Sequence, residues 1–195
     1  MTTIYMVRHA ESPYTEGTER TRGLTLDGKK KAQEITKLLK DEGIDVIVSS
    51  PYARAMLTVE GLAQELNVEI KVYEDLRERH FSGVDYTISD EEFMPAIRQS
   101  FSDPDFVLPG GESTAVCQKR AIAVLKNVLE QFEGKRIAIG THGNVMTLMM
   151  NYFDSQYGFE FLSQTRKPDV YKLQIENMEL VEVTRLSIES DSIEG

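Results

Sequence analysis

The sequence predicts an α/β protein, a three-layer α/β/α sandwich built on a mostly parallel sheet. Two observations carry that prediction. Short apolar runs alternate along the chain with longer stretches of helical periodicity. The residues that follow the runs are polar and chemically capable, as expected where ligands bind beyond the carboxyl ends of parallel strands.

Residues 4–7 form a compact apolar run and read as a buried strand. Over 27–42, Ala32, Ile35, Leu38 and Leu39 recur at helical spacing, and Gly43 supplies the stop. Val46-Ile47-Val48 reads as a second buried strand, closed by Ser49-Ser50-Pro51. Ser50 is the expected N-cap of the next helix and Pro51 its first residue. That helix carries Ala55, Val59, Leu62, Ala63 and Leu66 on one face. Residues 70–73 read as a third strand. Residues 82–109 are irregular and acidic, with a short helix near 91–101 and a turn at Pro109-Gly110-Gly111.

A long helix is expected over 113–132, with Val116, Ala121, Val124, Leu125, Val128 and Phe132 inward. Ile137-Ala138-Ile139 is a further strand ending at Gly140-Thr141-His142-Gly143, followed by a helix over 145–152. The alternating runs 171–175 and 180–186 flank Asn177 as a closing hairpin. No repeat or long linker interrupts this order, so residues 1–186 are expected to form one domain, with 187–195 a frayed acidic tail.

Composition narrows the function. The chain has 195 residues, 41% hydrophobic and 28% charged, which are globular values. Its 22 Lys+Arg against 32 Asp+Glu leave a net charge of −10, which argues against a nucleic-acid partner. A small anionic substrate stays open, because a few arginines in a cleft reverse the local field. The single cysteine, Cys117, excludes an intrachain disulfide and a thiolate zinc cluster, and reads as a small core residue. No apolar run approaches the roughly 20 residues that span a bilayer, and Arg8-His9 follows the first apolar run too closely for a signal peptide. The expectation is a soluble cytoplasmic protein with no membrane partner. The closing hairpin either caps the sheet or pairs with a second copy, so a homodimer is an open alternative.

Candidate site residues come from the strand ends. After the first strand stand Arg8 and His9; after the second, Ser49, Ser50 and, one turn on, Arg54. After the third stand Arg77, Glu78, Arg79 and His80; after the later strand, Thr141, His142 and Gly143. The chain has no Walker loop, dinucleotide fingerprint, nucleophile elbow or paired metal-ligand motif. Arginines suit phosphate, whose oxygens match their planar forks. A neutral imidazole held by its other nitrogen is a nucleophile toward phosphorus, and a carboxylic acid can protonate the leaving oxygen. This set points to phosphoryl transfer with neither metal nor cofactor. His80 reads as a rim residue, Lys29-Lys30-Lys31 as a solvated helix face, and Met146, Met149 and Met150 as core packing.

Val7-Arg8-His9-Ala10-Glu11-Ser12, Ser49-Ser50-Pro51-Tyr52-Ala53-Arg54-Ala55, Leu76-Arg77-Glu78-Arg79-His80-Phe81, Pro109-Gly110-Gly111-Glu112-Ser113 and Thr141-His142-Gly143 together resemble the histidine phosphatase superfamily, in its phosphoglycerate-mutase-like branch. The resemblance runs from about residue 4 to 186, with the motifs in the family's order. It implies a phosphoglycerate-mutase-like sandwich in which His9 is the nucleophile that becomes phosphohistidine. It further implies that Arg8 and Arg54 clamp the phosphoryl oxygens, that His142 donates to them with Gly143 beside it, and that Glu78 is first acid and then base. Arg20 and Arg22 fall where the family often contacts phosphate or substrate. Ala10 stands where a glycine is common, 13–17 replaces a stretch that often holds an asparagine, and Ser82-Gly83-Val84-Asp85-Tyr86 departs from the usual aromatic and acidic residues. These departures border the leaving-group pocket.

The expected activity is metal-independent hydrolysis of a small phosphorylated substrate. A phosphoglycerate mutase is the alternative, ranked lower because the stretch from Phe81 to Pro109 is short for a water-excluding cover. A phosphate-binding module without turnover ranks third, because a pure binder needs neither His9, Glu78 nor His142.

Overall fold

The computed structural model describes residues 1–188. The strands are β1 (Thr2–Arg8), β2 (Val46–Ser49), β3 (Ile70–Val72), β4 (Arg136–Thr141), β5 (Asp169–Glu176) and β6 (Glu179–Leu186). The helices are α1 (Leu26–Leu39), α2 (Ala53–Leu66), α3 (Asp90–Ser102), α4 (Thr114–Gln131), α5 (Gly143–Phe153) and α6 (Phe159–Gln164). The strands form one mixed sheet in the order β3-β2-β4-β1-β5-β6. β3, β2, β4 and β1 run parallel, whereas β5 pairs antiparallel with β1 and β6 antiparallel with β5.

The pleat of β1 divides its side chains between two cores. Ile4 and Met6 pack with Val48, Ile137 and Ile139 beneath α4 and α5, against Leu125, Val128, Val145 and Met149. Tyr5 and Val7 face the opposite way, onto Ile35 and Leu39 of α1 and Val59 and Leu62 of α2. Helices therefore cover both faces of the sheet, as the alternating apolar pattern predicts. Each fully buried aliphatic side chain contributes roughly 1.5–3 kcal/mol of apolar burial.

Helix ends follow local chemistry. Thr25 Oγ1 accepts from the Gly28 amide at 2.9 Å and starts α1, and Gly43, at φ +69°, follows its end. Ser89 and Glu92 form a capping box that starts α3. Asn177 and Met178, both at positive φ, make the tight turn between β5 and β6.

Three expectations need correction. Ser50 does not cap α2 and Pro51 is not its first residue: the helix begins at Ala53, with Tyr52 at the cap position. The Ser50 hydroxyl instead accepts from the Tyr52 amide at 3.2 Å and bonds the His142 ring. Val116 is 57% exposed rather than inward, because the buried stripe of α4 runs through Cys117, Ala121, Leu125 and Val128. Helix α6 was not anticipated; its six residues are too few to display a helical period in sequence. The expected tail over 187–195 falls mostly outside the described residues. No helix among the described residues is long and apolar enough to cross a membrane.

Candidate active site

Arg8 ends β1 in register with Thr141 of β4 and Asp169 of β5, so two neighbouring strands hold its backbone. The next residue, His9, continues the ladder by donating its amide to Thr141 O at 2.9 Å. Its ring Nδ1 lies 2.7 Å from the Ala10 carbonyl. A carbonyl only accepts, so Nδ1 carries the proton and Nε2 keeps its lone pair. His9 is 5% exposed. Burial holds its pKa well below the usual histidine value; the Ala10 carbonyl opposes this, while Arg54, Arg8 and Lys167 add to it. The imidazole is thus neutral, with its lone pair on Nε2.

Arg54 stands in the first turn of α2 and is 1% exposed. It donates through Nη1 to the Glu19 carbonyl and through Nη2 to Glu19 Oε2 at 3.0 Å. Arg22 is also buried; its Nε donates to Glu19 Oε1 at 3.2 Å and its guanidinium lies 4.5 Å from the Tyr14 ring centre. One carboxylate therefore engages two arginines of the cleft. Arg8 donates to Thr165 Oγ1, and Arg8 Nε, Arg54 Nε and Arg22 Nη1 have no protein partner. Such buried donors carry a desolvation cost until something accepts from them.

His142 follows β4, is fully buried, and has its ring centre 5.3 Å from that of His9. Its Nε2 lies 2.7 Å from Ser50 Oγ, and its Nδ1 has no protein partner. Burial, then the neighbouring His9, Arg54, Arg22 and Arg8, keep its pKa well below the ordinary value. Gly143 opens α5 beside it. A Cβ there would stand 2.8 Å from Arg8 Nη2 and 2.9 Å from Cζ, so the absent side chain lets the guanidinium lie against the helix.

Glu78 is half-buried and accepts three backbone N–H bonds: Arg79 at 2.8 Å, and Asn144 and Val145, both at 3.1 Å, from the first turn of α5. Its charge acts on both Arg8 and Arg54. The backbone that presents it is fixed by Arg120, which donates to the carbonyls of Asp75 at 2.6 Å and Arg77 at 2.9 Å. Arg120 is itself paired with Glu112 at 2.6 Å, and both side chains are nearly buried. This explains the Pro109-Gly110-Gly111-Glu112 motif: the turn delivers Glu112, and a Cβ on Gly111 would fall 2.2 Å from the Phe81 carbonyl.

A cleft of about 800 Å³ gathers Arg8, His9, Arg22, Arg54 and Glu78 in its lining, with His80 exposed at its edge. His142 lies behind His9, and Gly143 beneath Arg8. Arg20 is not in the lining; it is exposed and forks onto Glu74 beside the Tyr52 ring. Glu19, Thr165 and Lys167 escaped the sequence reading, yet all three line the cleft. Cys117 is buried, and burial pushes its thiol pKa up, away from reactivity. Among the described residues, no three His, Cys, Asp or Glu side chains gather as a metal-binding group.

Comparison with known proteins identifies relatives of this chain. The chain is 28% identical over 148 residues to the uncharacterized phosphatase PhoE of Bacillus subtilis, covering 73% of this chain and 72% of that protein. It is 29% identical over 162 residues to the probable phosphoglycerate mutase GpmB of Proteus mirabilis, covering 77% and 74%. The structure of a mycobacterial glucosyl-3-phosphoglycerate phosphatase superposes with a TM-score of 0.74 at 16% identity, covering 94% of this chain and 96% of that one. The Histidine phosphatase superfamily (branch 1) profile matches residues 4–184, so with His9, Arg8, Arg54, Glu78 and His142 gathered at one end of this sheet, the chain belongs to that superfamily.

Proposed function

We propose that this protein hydrolyses phosphomonoesters through a phosphohistidine on His9, without a metal. The observation that carries the reading is the His9 ring, whose Nδ1 proton is committed to the Ala10 carbonyl among buried arginines. In the first step Nε2 attacks phosphorus, the bond from phosphorus to the ester oxygen breaks, and Glu78 gives its proton to the departing alkoxide. In the second step Glu78 takes a proton from water, whose oxygen attacks phosphorus; the N–P bond breaks and inorganic phosphate leaves. Arg8, Arg54 and a hydrogen bond from His142 Nδ1 neutralise charge on the phosphoryl oxygens, the task that magnesium performs in other phosphoryl-transfer sites. Arg22, with a buried unpartnered Nη1 in the cleft, is a further phosphate donor. Arg20, committed to Glu74, serves the loop rather than the substrate.

The test is hydrolysis of p-nitrophenyl phosphate in EDTA by wild type and His9→Ala, with an acid quench for acid-labile phosphate on the protein. Activity and label in wild type, both lost in the variant, support the reading. Full activity in His9→Ala overturns it. Isomerisation of 3-phosphoglycerate outpacing hydrolysis would make the protein a mutase instead.

A further inference from the structure

The cleft has two unlike halves. The phosphoryl cradle occupies one, and the other is walled by Phe81, Val84, Phe93, Met94, Ile97 and Leu162. Three of these are conspicuously open to water: Val84 is 94% exposed, Met94 46% and Phe93 42%. Phe93 meets Phe81 edge-on, ring centres 5.3 Å apart, so the wall has a preformed aromatic surface. Exposed apolar side chains scattered singly need no explanation, whereas a contiguous set facing a charged site marks a binding surface.

The charged groups around this half are either outside the lining or already engaged in the protein. Asp90, Glu91 and Glu92 fill the first turn of α3, and Asp85 precedes it. Arg79, the guanidinium behind the wall, is buried, donates to Ser100 Oγ at 2.8 Å and lies 4.7 Å from the Phe81 ring centre. Across the cleft, Lys167 is held by the Tyr14 hydroxyl at 3.0 Å. Unpartnered nitrogens stand on Arg8, Arg54 and Arg22 of the cradle, and Arg79 Nε is a fourth, buried at the wall. What a leaving group meets over most of this half is the apolar surface of Phe81, Phe93 and Met94.

We infer that the alcohol released by this enzyme is apolar, an aryl or bulky alkyl group that lies on Phe81, Phe93 and Met94 while its phosphate sits between Arg8 and Arg54. The inference rests on the phosphatase reading and specifies its substrate class. A small acidic ester such as 3-phosphoglycerate or phosphoserine fits the cradle and leaves the wall uncovered.

The experiment compares kcat/KM for 1-naphthyl phosphate, 3-phosphoglycerate and phosphoserine in wild type and in a Phe93→Ala/Met94→Ala variant. Inhibition by inorganic phosphate and the melting temperature are followed in parallel. Wild type is expected to prefer the naphthyl ester by at least about tenfold, and the variant to lose roughly tenfold on that ester through KM. The phosphate inhibition constant should hold within about twofold, because phosphate touches the cradle alone. A wild-type preference for either acidic ester overturns the inference and leaves the phosphatase reading standing. An equal loss on all three esters in a folded variant also overturns it. Hydrolysis of none of them, with no acid-labile label, refutes both together.

Discussion

Replacing Gly143 with alanine separates the chemistry of the site from the stability of the fold. The new Cβ would lie 2.8 Å from Arg8 Nη2, 2.9 Å from Cζ and 3.0 Å from Leu162 Cδ1, where ordinary contact begins near 3.4 Å. The guanidinium must therefore retreat by about 0.6 Å or more, the difference between 3.4 and 2.8 Å. Retreat is constrained, because Nη1 already donates to Thr165. A displacement of that size weakens or breaks one charge-assisted hydrogen bond to a phosphoryl oxygen, worth about 1.5–3 kcal/mol. That converts to a loss of roughly 10- to 150-fold in kcat/KM. The fold should not suffer comparably: Gly143 is the first residue of α5 and its φ is not positive, so alanine favours the helix by up to about 1 kcal/mol. Steady-state hydrolysis of p-nitrophenyl phosphate, beside a thermal melt, reads the two effects separately. If kcat/KM stays within about twofold of wild type while the melt is unchanged, Arg8 is not held against phosphate by the bare face of Gly143 and the cradle is misassigned.

Three further outcomes follow from the buried polar groups. Because burial depresses the His9 pKa, its imidazole stays neutral as pH falls through about 6.5, where an ordinary histidine protonates; the acid limb of kcat/KM should therefore lie below that pH, and a limb centred at or above it contradicts the tautomer argument. The same shift lowers stability in acid, because His9 and His142 take up protons in the unfolded chain before the folded one, so the urea midpoint should fall as pH drops below about 6.5. Asp169, 3% exposed, accepts from Arg185 Nε at 3.0 Å and Nη2 at 2.7 Å and from the Tyr171 hydroxyl at 2.9 Å. Asp169→Asn should cost about 1–3 kcal/mol in urea unfolding, less than breaking a fully buried pair because Arg185 reaches water; a change under about 0.5 kcal/mol would show the cluster to be of little energetic worth.

Much of this site was legible because it obeys one topological rule. Arg8 ends a strand of the parallel part of the sheet and His9, Glu78 and His142 each come after one, so reading forward from each apolar run finds them. β5 breaks the rule by running antiparallel to β1. The residues it brings to the site, Thr165 and Lys167, come before the strand, and a forward search passes them by. Glu19 lies in a loop without periodicity, and its partner Arg54 is 35 residues away. The misassignment of Ser50 has a related origin: Ser-Pro before a helical pattern is a sound local capping signal, but the hydroxyl is taken by His142 from a strand two places along in sequence. Local preference gave way to a contact that only the assembled sheet supplies. The wall of the cleft was hidden differently. Phe93 and Met94 are consecutive apolar residues on an amphipathic helix, and nothing in one sequence says which apolar residues the fold leaves uncovered.

The position of β1 ties the placement of His9 to the integrity of the whole fold. The strand is paired along both edges, with β4 on one side and β5 on the other, and Thr2 through Val7 are buried. Its amides are among those that exchange with solvent only when the sheet itself comes apart, whereas the exposed loop around Thr18–Thr21 can open at far lower cost. Opening of that loop would loosen Glu19 from the arginines while His9 stays in place. The cleft can therefore be remodelled around a fixed His9.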